Sequence, residues 1–257
     1  MAMSPHLPAM PSPDLAAALA TLAARLPLAE PPAAALAAEA WREAFRPARL
    51  RLLLLAESHM ATSAAELACP LRLPPGLDWP VPAGFVRHVY CPAYGERALV
   101  PDLPVHNAGT PQYWQLLAAA DGGAAPTRAA VPDLGARLAV RAALLHRLRA
   151  RGIWLTDAAL VAVAGPGGAR AGARLHAEAV RESWRLHHAA RLPGFDPAHV
   201  LVIGLAVARV LRPALDAAFP GRWRAVPQPM GAARRPGQGA ALLATVAAAA
   251  RAHAPAD

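Results

Sequence analysis

The sequence predicts an α/β protein, with three layers (α/β/α) around a central, mainly parallel four-stranded sheet. Three observations lead there. Continuous apolar runs of strand length occur at Leu50-Arg-Leu-Leu-Leu-Leu-Ala56, Ile153-Trp-Leu-Thr156 and Val200-Leu-Val-Ile-Gly204, and such runs suit strands buried on both faces. Helical stretches separate them, and this alternation is the pattern of a doubly wound sheet. Of the 257 residues, 55% are hydrophobic but only 5% are aromatic, so Ala, Leu and Val must build the core.

In chain order, residues 1–13 are rich in Pro and Met and read as a loose tail. Residues 14–47 read as two Ala-rich helices. Asp14 stands where an N-cap would precede the Leu15 pattern, and Pro32 stands in the first turn of a helix running to Phe45. Helices so rich in Ala bury little area per residue, which predicts soft docking. An α/β domain is expected over 48–254, beginning with the Leu50–Ala56 strand. Residues 68–111 are dense in Pro, with a short extended piece expected at Phe85–Tyr90, and a loop that long commonly carries function. Helices follow over Gln112–Ala120 and Pro132–Arg151. Gly152 ends the second of them before the Ile153 strand. A helix over Arg174–Arg191 leads to the Val200 strand, and Gly204 opens directly into a helix over Leu205–Leu215. Trp223–Val226 reads as a fourth strand, and a last helix runs over Gly237–Ala252.

In a parallel sheet of this kind, ligands bind outside the carboxyl ends of the strands. Those ends carry Glu57-Ser58-His59, Asp157, Gly204 and Gln228. Ser58 beside His59 invites a hydrolase reading, but no Gly-x-Ser-x-Gly elbow is present and adjacent side chains point apart. A carboxylate at Glu57 is better placed to orient a water or a ligand. Asn107-Ala-Gly-Thr-Pro-Gln-Tyr-Trp114 joins a polar turn to a helix start, with Thr110 at the cap position. Tyr113 and Trp114 there are a candidate stacking platform, or else Trp114 anchors the helix to the sheet.

The net charge is +9, and all 26 basic residues are Arg. Guanidinium forks suit phosphates, although a GC-rich coding habit yields the same composition. His88, Cys91, His106, His187 and His188 show no metal-ligand spacing, so no metal is expected. Gly165-Pro-Gly-Gly168 lacks the Lys and Ser/Thr of a phosphate loop, and no dinucleotide fingerprint follows the first strand, so no cofactor is expected either. Two cysteines, Cys69 and Cys91, exclude a disulfide-dense scaffold or a four-cysteine cluster and are expected to stay reduced. Without a signal-peptide pattern or an apolar run of membrane length, a cytoplasmic protein with no membrane partner is expected.

Five segments in order resemble the uracil-DNA glycosylase superfamily, over roughly residues 48–250. Leu52-Leu-Leu-Leu-Ala-Glu-Ser-His59 looks like its first-strand motif, whose following loop handles the water nucleophile. Asn107–Trp114 resembles its Gly-Asn-x-Phe-Trp helix start. Gly152-Ile-Trp-Leu-Thr-Asp-Ala-Ala-Leu160 is similar to the strand whose Asn reads the flipped base. His199–Ala208 and Pro227-Gln-Pro-Met-Gly231 stand where the last strand and the His-Pro-Ser loop fall.

The resemblance implies a base extruded into a pocket. Glu57 would orient the water, with His59 as the alternative. Ser58, Asn107 and Thr110 would line the site, and Tyr94, Tyr113 or Trp114 would stack on the base. Asp157 would read the base edge and Gln228 would face the departing base. The amides after Gly204, with Arg234 and Arg235, would hold phosphates. Two departures alter the expected specificity. Gln228 replaces the family His. Asp157 replaces Asn, and a carboxylate only accepts, so it favours a base bearing an amino group over uracil. The partners implied are DNA or another nucleic acid, or a free nucleoside or nucleotide. A non-catalytic binding protein of the same fold is the alternative.

Overall fold

The apolar runs form four parallel strands: β1 (Leu52–Ala56), β2 (Ile153–Asp157), β3 (His199–Ile203) and β4 (Trp223–Val226), in the order β2-β1-β3-β4. The structure, a computed structural model, describes residues 13–233 and 235–255. The tail expected over 1–13 lies outside the described residues except for Pro13, which begins the first helix, and Arg234 also lies outside. Every residue of β1 and β2 is buried, β1 as a central strand and β2 although it ends the strand order, and the sheet is parallel throughout. Pairing of Leu52 with both Ile153 and His199 sets the register that brings the carboxyl ends of β1, β2 and β3 level with one another.

The helices are α1 (Pro13–Arg25), α2 (Pro32–Ala44), α3 (Ala64–Leu67), α4 (Pro111–Asp121), α5 (Leu134–Ala150), α6 (Ala173–Ser183), α7 (Ala189–Arg191), α8 (Leu205–Ala218), α9 (Pro229–Ala232) and α10 (Gln238–His253). Local chemistry fixes several ends. Asp133 caps α5 by accepting from the Ala136 N–H at 2.7 Å, and Ser63 with Glu66 forms a reciprocal capping box on α3. Around the sheet, α4 packs on α5 and α10, α6 packs on α8, and α8 lies against β3 and β4. Among the described residues, no helix is long and apolar enough to cross a membrane.

Several expectations need correction. Asp14 lies inside the first turn of α1, not at its N-cap. Phe85–Tyr90 forms no strand: bends at Arg87 and His88 and turns at Val89 and Tyr90 follow Phe85 and Val86, and Phe85, Val86, Val89 and Tyr90 are buried. The helix expected over 174–191 contains a π-helical turn at Trp184–His188, which drives both His187 and His188 into the interior.

The N-terminal helices are not softly docked. Leu19, Leu22 and Trp41 join the same hydrophobic cluster as the strands, and Trp154 on β2 donates its indole N–H to the Arg42 carbonyl at 2.9 Å. The α1–α2 connection also pairs with the chain after β2, through the Ala29 N–H to the Ala162 carbonyl and the Ala164 N–H to the Pro27 carbonyl.

Candidate functional site

At the carboxyl ends of the strands, two polar groups flank the end of β1. The first is fully buried and centred on Arg42, whose side chain is 0% exposed. Its guanidinium donates to Glu39 Oε2 at 2.8 Å, to Asp157 Oδ2 at 2.6 Å and to His59 Nδ1 at 2.9 Å. Guanidinium nitrogens only donate, so His59 Nδ1 is the acceptor and Nε2–H donates to Glu30 Oε1 at 2.6 Å. Glu30, in the α1–α2 connection, also accepts the backbone N–H groups of Ala162 and Thr62. Burial pushes the Glu30 carboxyl up, but His59 and those two amides outweigh it and hold it below the usual carboxylate range.

Glu39 gains a second cation, Arg191, at 2.8 Å. Burial raises its carboxyl as well, yet His187, Arg42 and Arg191 together take it well below its ordinary value. His88 lies with Nε2 3.8 Å from Asp157 Oδ2. Burial first, then the Arg42 charge, lowers its pKa well below the histidine norm and keeps it neutral. Buried charges of this kind persist only when each is paired.

The second group is half-exposed. Gln228, just past β4, donates its side-chain N–H to Glu57 Oε2. Gln228 Oε1 can only accept, so it is available to a ligand as an acceptor. Gly204 lies between them at the end of β3, at φ 132°, and a Cβ built there would sit 3.4 Å from Gln228 Cγ. Only glycine adopts that conformation readily, and it also lets β3 turn at once into α8 beneath the Gln228 side chain. Tyr113, in the first turn of α4, completes the neighbourhood. Burial, followed by the charges of Asp157 and Glu57, raises its phenol pKa above the normal range.

Glu57, His59, Tyr113, Asp157, Gly204 and Gln228 are thus gathered at one edge of the sheet. The remaining sequence candidates have other surroundings. Ser58 is half-buried beside Glu57 and makes no side-chain hydrogen bond among the described residues. Asn107 pins the loop before the 3-10 turn at Arg97–Leu99, accepting from the Gly95 N–H at 2.8 Å and donating to the Ala93 carbonyl at 2.7 Å. Thr110 does not cap α4 with its side chain. It bonds instead to Tyr94, which is buried and senses Arg87 and Glu66.

Trp114 is buried, with the Arg141 guanidinium 4.7 Å over its ring and Trp79 edge-on at 6.4 Å, so it anchors α4 rather than offering a stacking face. Arg235 is exposed after α9.

Glu30, Glu39, Arg42 and His88 form half of this edge and were not among the sequence candidates. The available signal was the Glu39/Arg42 spacing of i,i+3 on an otherwise Ala-rich helix, which reads equally as a surface ion pair. Among the described residues, no group of three or more His, Cys, Asp or Glu could hold a metal ion. Cys69 and Cys91 are both free thiols, and burial pushes Cys91 up to about 11.

Comparison of the chain with protein families, curated proteins and solved structures finds no match.

Proposed function

We propose that this edge of the sheet hydrolyses the N-glycosidic bond of a base in nucleic acid, in a three-layer fold of the uracil-DNA glycosylase type. The observation that carries the reading is Glu57: a half-exposed carboxylate at the end of a central strand, held by Gln228 from β4. The motif order along the chain supports it. In the proposed step, Glu57 accepts a proton as water adds to C1′, and the C1′–N bond breaks with its electron pair leaving on the base. Gln228 keeps the carboxylate aimed, and its Oε1 faces the base. Asp157 reads the base edge through Oδ1, since Oδ2 is held by Arg42. The acceptor-rich surroundings suit bases carrying amino groups, such as cytosine or adenine derivatives, over uracil. Arg235, with Arg234 outside the described residues, would meet phosphate.

A second reading, a nucleic-acid or nucleotide-binding protein without catalysis, is favoured by the buried Arg42–Asp157 pair and by Trp114 being closed off by Arg141.

The test is a panel of DNA oligonucleotides, each carrying uracil, hypoxanthine, cytosine or an alkylated base. Each is incubated with the protein, and abasic sites are cleaved with alkali. Release of an amino-bearing base, lost in Glu57→Gln, is expected. No release from any substrate, with DNA still bound, establishes the binding reading instead.

A further inference from the structure

The opposite edge of the sheet carries a cavity of about 400 Å³ lined by Ala48, Arg49, Arg51, His146, Arg149 and Ala150. Several neighbouring guanidiniums already have partners. Arg46 is paired with Glu43, Arg147 with Asp121, and Arg222 with Asp196, while Arg151 donates to the Ala254 and Ala120 carbonyls. The side chains of Arg49, Arg51 and Arg149 make no hydrogen bond or ion pair among the described residues. His146, also in the lining, contacts Asp78, whose Oδ2 lies 3.4 Å from His146 Nε2 and whose carbonyl accepts from that nitrogen at 3.1 Å. Arg149 ends α5, where a cation favours the helix dipole, but this accounts for neither Arg49 nor Arg51.

The backbone beneath the cavity is closely packed. Gly152, at φ 79°, lies so close that a Cβ there would come within 2.6 Å of the Arg49 carbonyl and 2.9 Å of Arg51 Cγ. Its carbonyl accepts from the N–H groups of both Arg51 and Leu52, and the Arg51 carbonyl accepts from the His199 N–H. The glycine therefore draws the start of β1 against the last turn of α5, and so brings Arg51 and Arg149 to one cavity.

We infer that this cavity binds a small molecule bearing two or more phosphoryl groups. Three planar guanidinium forks around one concavity can match tetrahedral oxyanions bidentately, and no carboxylate among the described residues is paired with them. A volume near 400 Å³ suits a small ligand rather than the extended track that a nucleic-acid backbone needs. The site is independent of the proposed hydrolysis, because Arg51 and Glu57 lie at opposite ends of β1, about 20 Å apart at a strand rise near 3.3 Å per residue.

The experiment is calorimetric titration of the full chain with inorganic pyrophosphate at low salt. Two variants of equal net charge are compared: Arg51→Gln with Arg149→Gln, and Arg224→Gln with Arg251→Gln, the latter pair being exposed elsewhere. Pyrophosphate is expected to bind the parent chain, at least about tenfold more weakly to the first variant and within about twofold of the parent to the second. If Arg51→Gln unfolds the protein, Arg49→Gln with Arg149→Gln, both at exposed positions, takes its place. Absence of binding, or equal weakening by both pairs, would overturn the assignment. A short DNA duplex is expected to leave pyrophosphate bound, and its displacement of pyrophosphate would also refute the small-ligand site.

Discussion

Replacing Arg42 with Met removes the cation that joins the N-terminal helices to the end of β2 while keeping a side chain of similar length. Arg42 is wholly buried and makes three charge-assisted contacts, at 2.8 Å to Glu39, 2.9 Å to His59 and 2.6 Å to Asp157. Glu39 keeps Arg191 at 2.8 Å, so its loss is partial. Among the described residues, Asp157 Oδ2 is then left with the rings of His59 at 3.9 Å and His88 at 3.8 Å. Breaking a buried pair by removing one partner costs about 3–5 kcal/mol, and this site falls in that range because one carboxylate is stranded. Urea denaturation followed by circular dichroism reads the change as a lower midpoint at constant slope. Adding Asp157→Asn to Arg42→Met removes the stranded charge and is expected to restore at least about 1 kcal/mol. A loss below about 1 kcal/mol for Arg42→Met, or a double variant no more stable than the single, would refute this account of the buried pair.

Two further outcomes follow from the buried groups. Both ring nitrogens of His188 lack a hydrogen-bond partner among the described residues, and burial with the neighbouring His187 lowers its pKa to about 3. The folded chain keeps it neutral while the unfolded chain protonates it below about 6.5. Its contribution to stability is therefore full above that pH and is lost as pH falls, at about 1.4 kcal/mol per unit. His188→Phe is expected to flatten the stability profile between pH 6.5 and 5 by about that slope, checked by denaturation across pH. Asn107→Ala leaves the Gly95 N–H and the Ala93 carbonyl without their side-chain partner, and a loss of about 2–3 kcal/mol is expected in thermal or urea unfolding.

The strands were legible in the sequence because burial on both faces leaves an unbroken apolar run, which polar loops then punctuate. Leu52–Ala56 and His199–Ile203 are of this kind, and each ends on the residues the ligand rule singles out. The extended piece expected at Phe85–Tyr90 was misleading for a physical reason. Its apolar residues face the core from successive turns, with the Cys91 N–H bonding back to the His88 carbonyl. Tyr113 and Trp114 are adjacent on a helix and so point about 100° apart, which sends Trp114 to the core while Tyr113 stays near the strand ends.

The Arg42 group was invisible for a deeper reason. Whether a charge on a helix is buried depends on partners far away in sequence: Arg42 meets Asp157 from 115 residues away, and His59 meets Glu30 from 29 residues away. Nothing local to Ala-Glu-Ala-Trp-Arg-Glu distinguishes an internal guanidinium from a solvated one. Arg141 likewise reads as an ordinary helix-face residue, yet it lies buried on Trp114 and pairs with Glu96 at 2.9 Å.

The central functional claim is that Glu57 and Gln228 act as one unit on the water. The measurement that addresses it most directly is the single-turnover rate of base release for the parent chain, Glu57→Gln, Gln228→Leu and the double variant. If Gln228 serves only to hold the Glu57 carboxylate, the double variant is expected to be no slower than Glu57→Gln alone, because groups that act together lose rate non-additively. Independent, multiplying losses, or an undiminished rate in Glu57→Gln, would contradict the account.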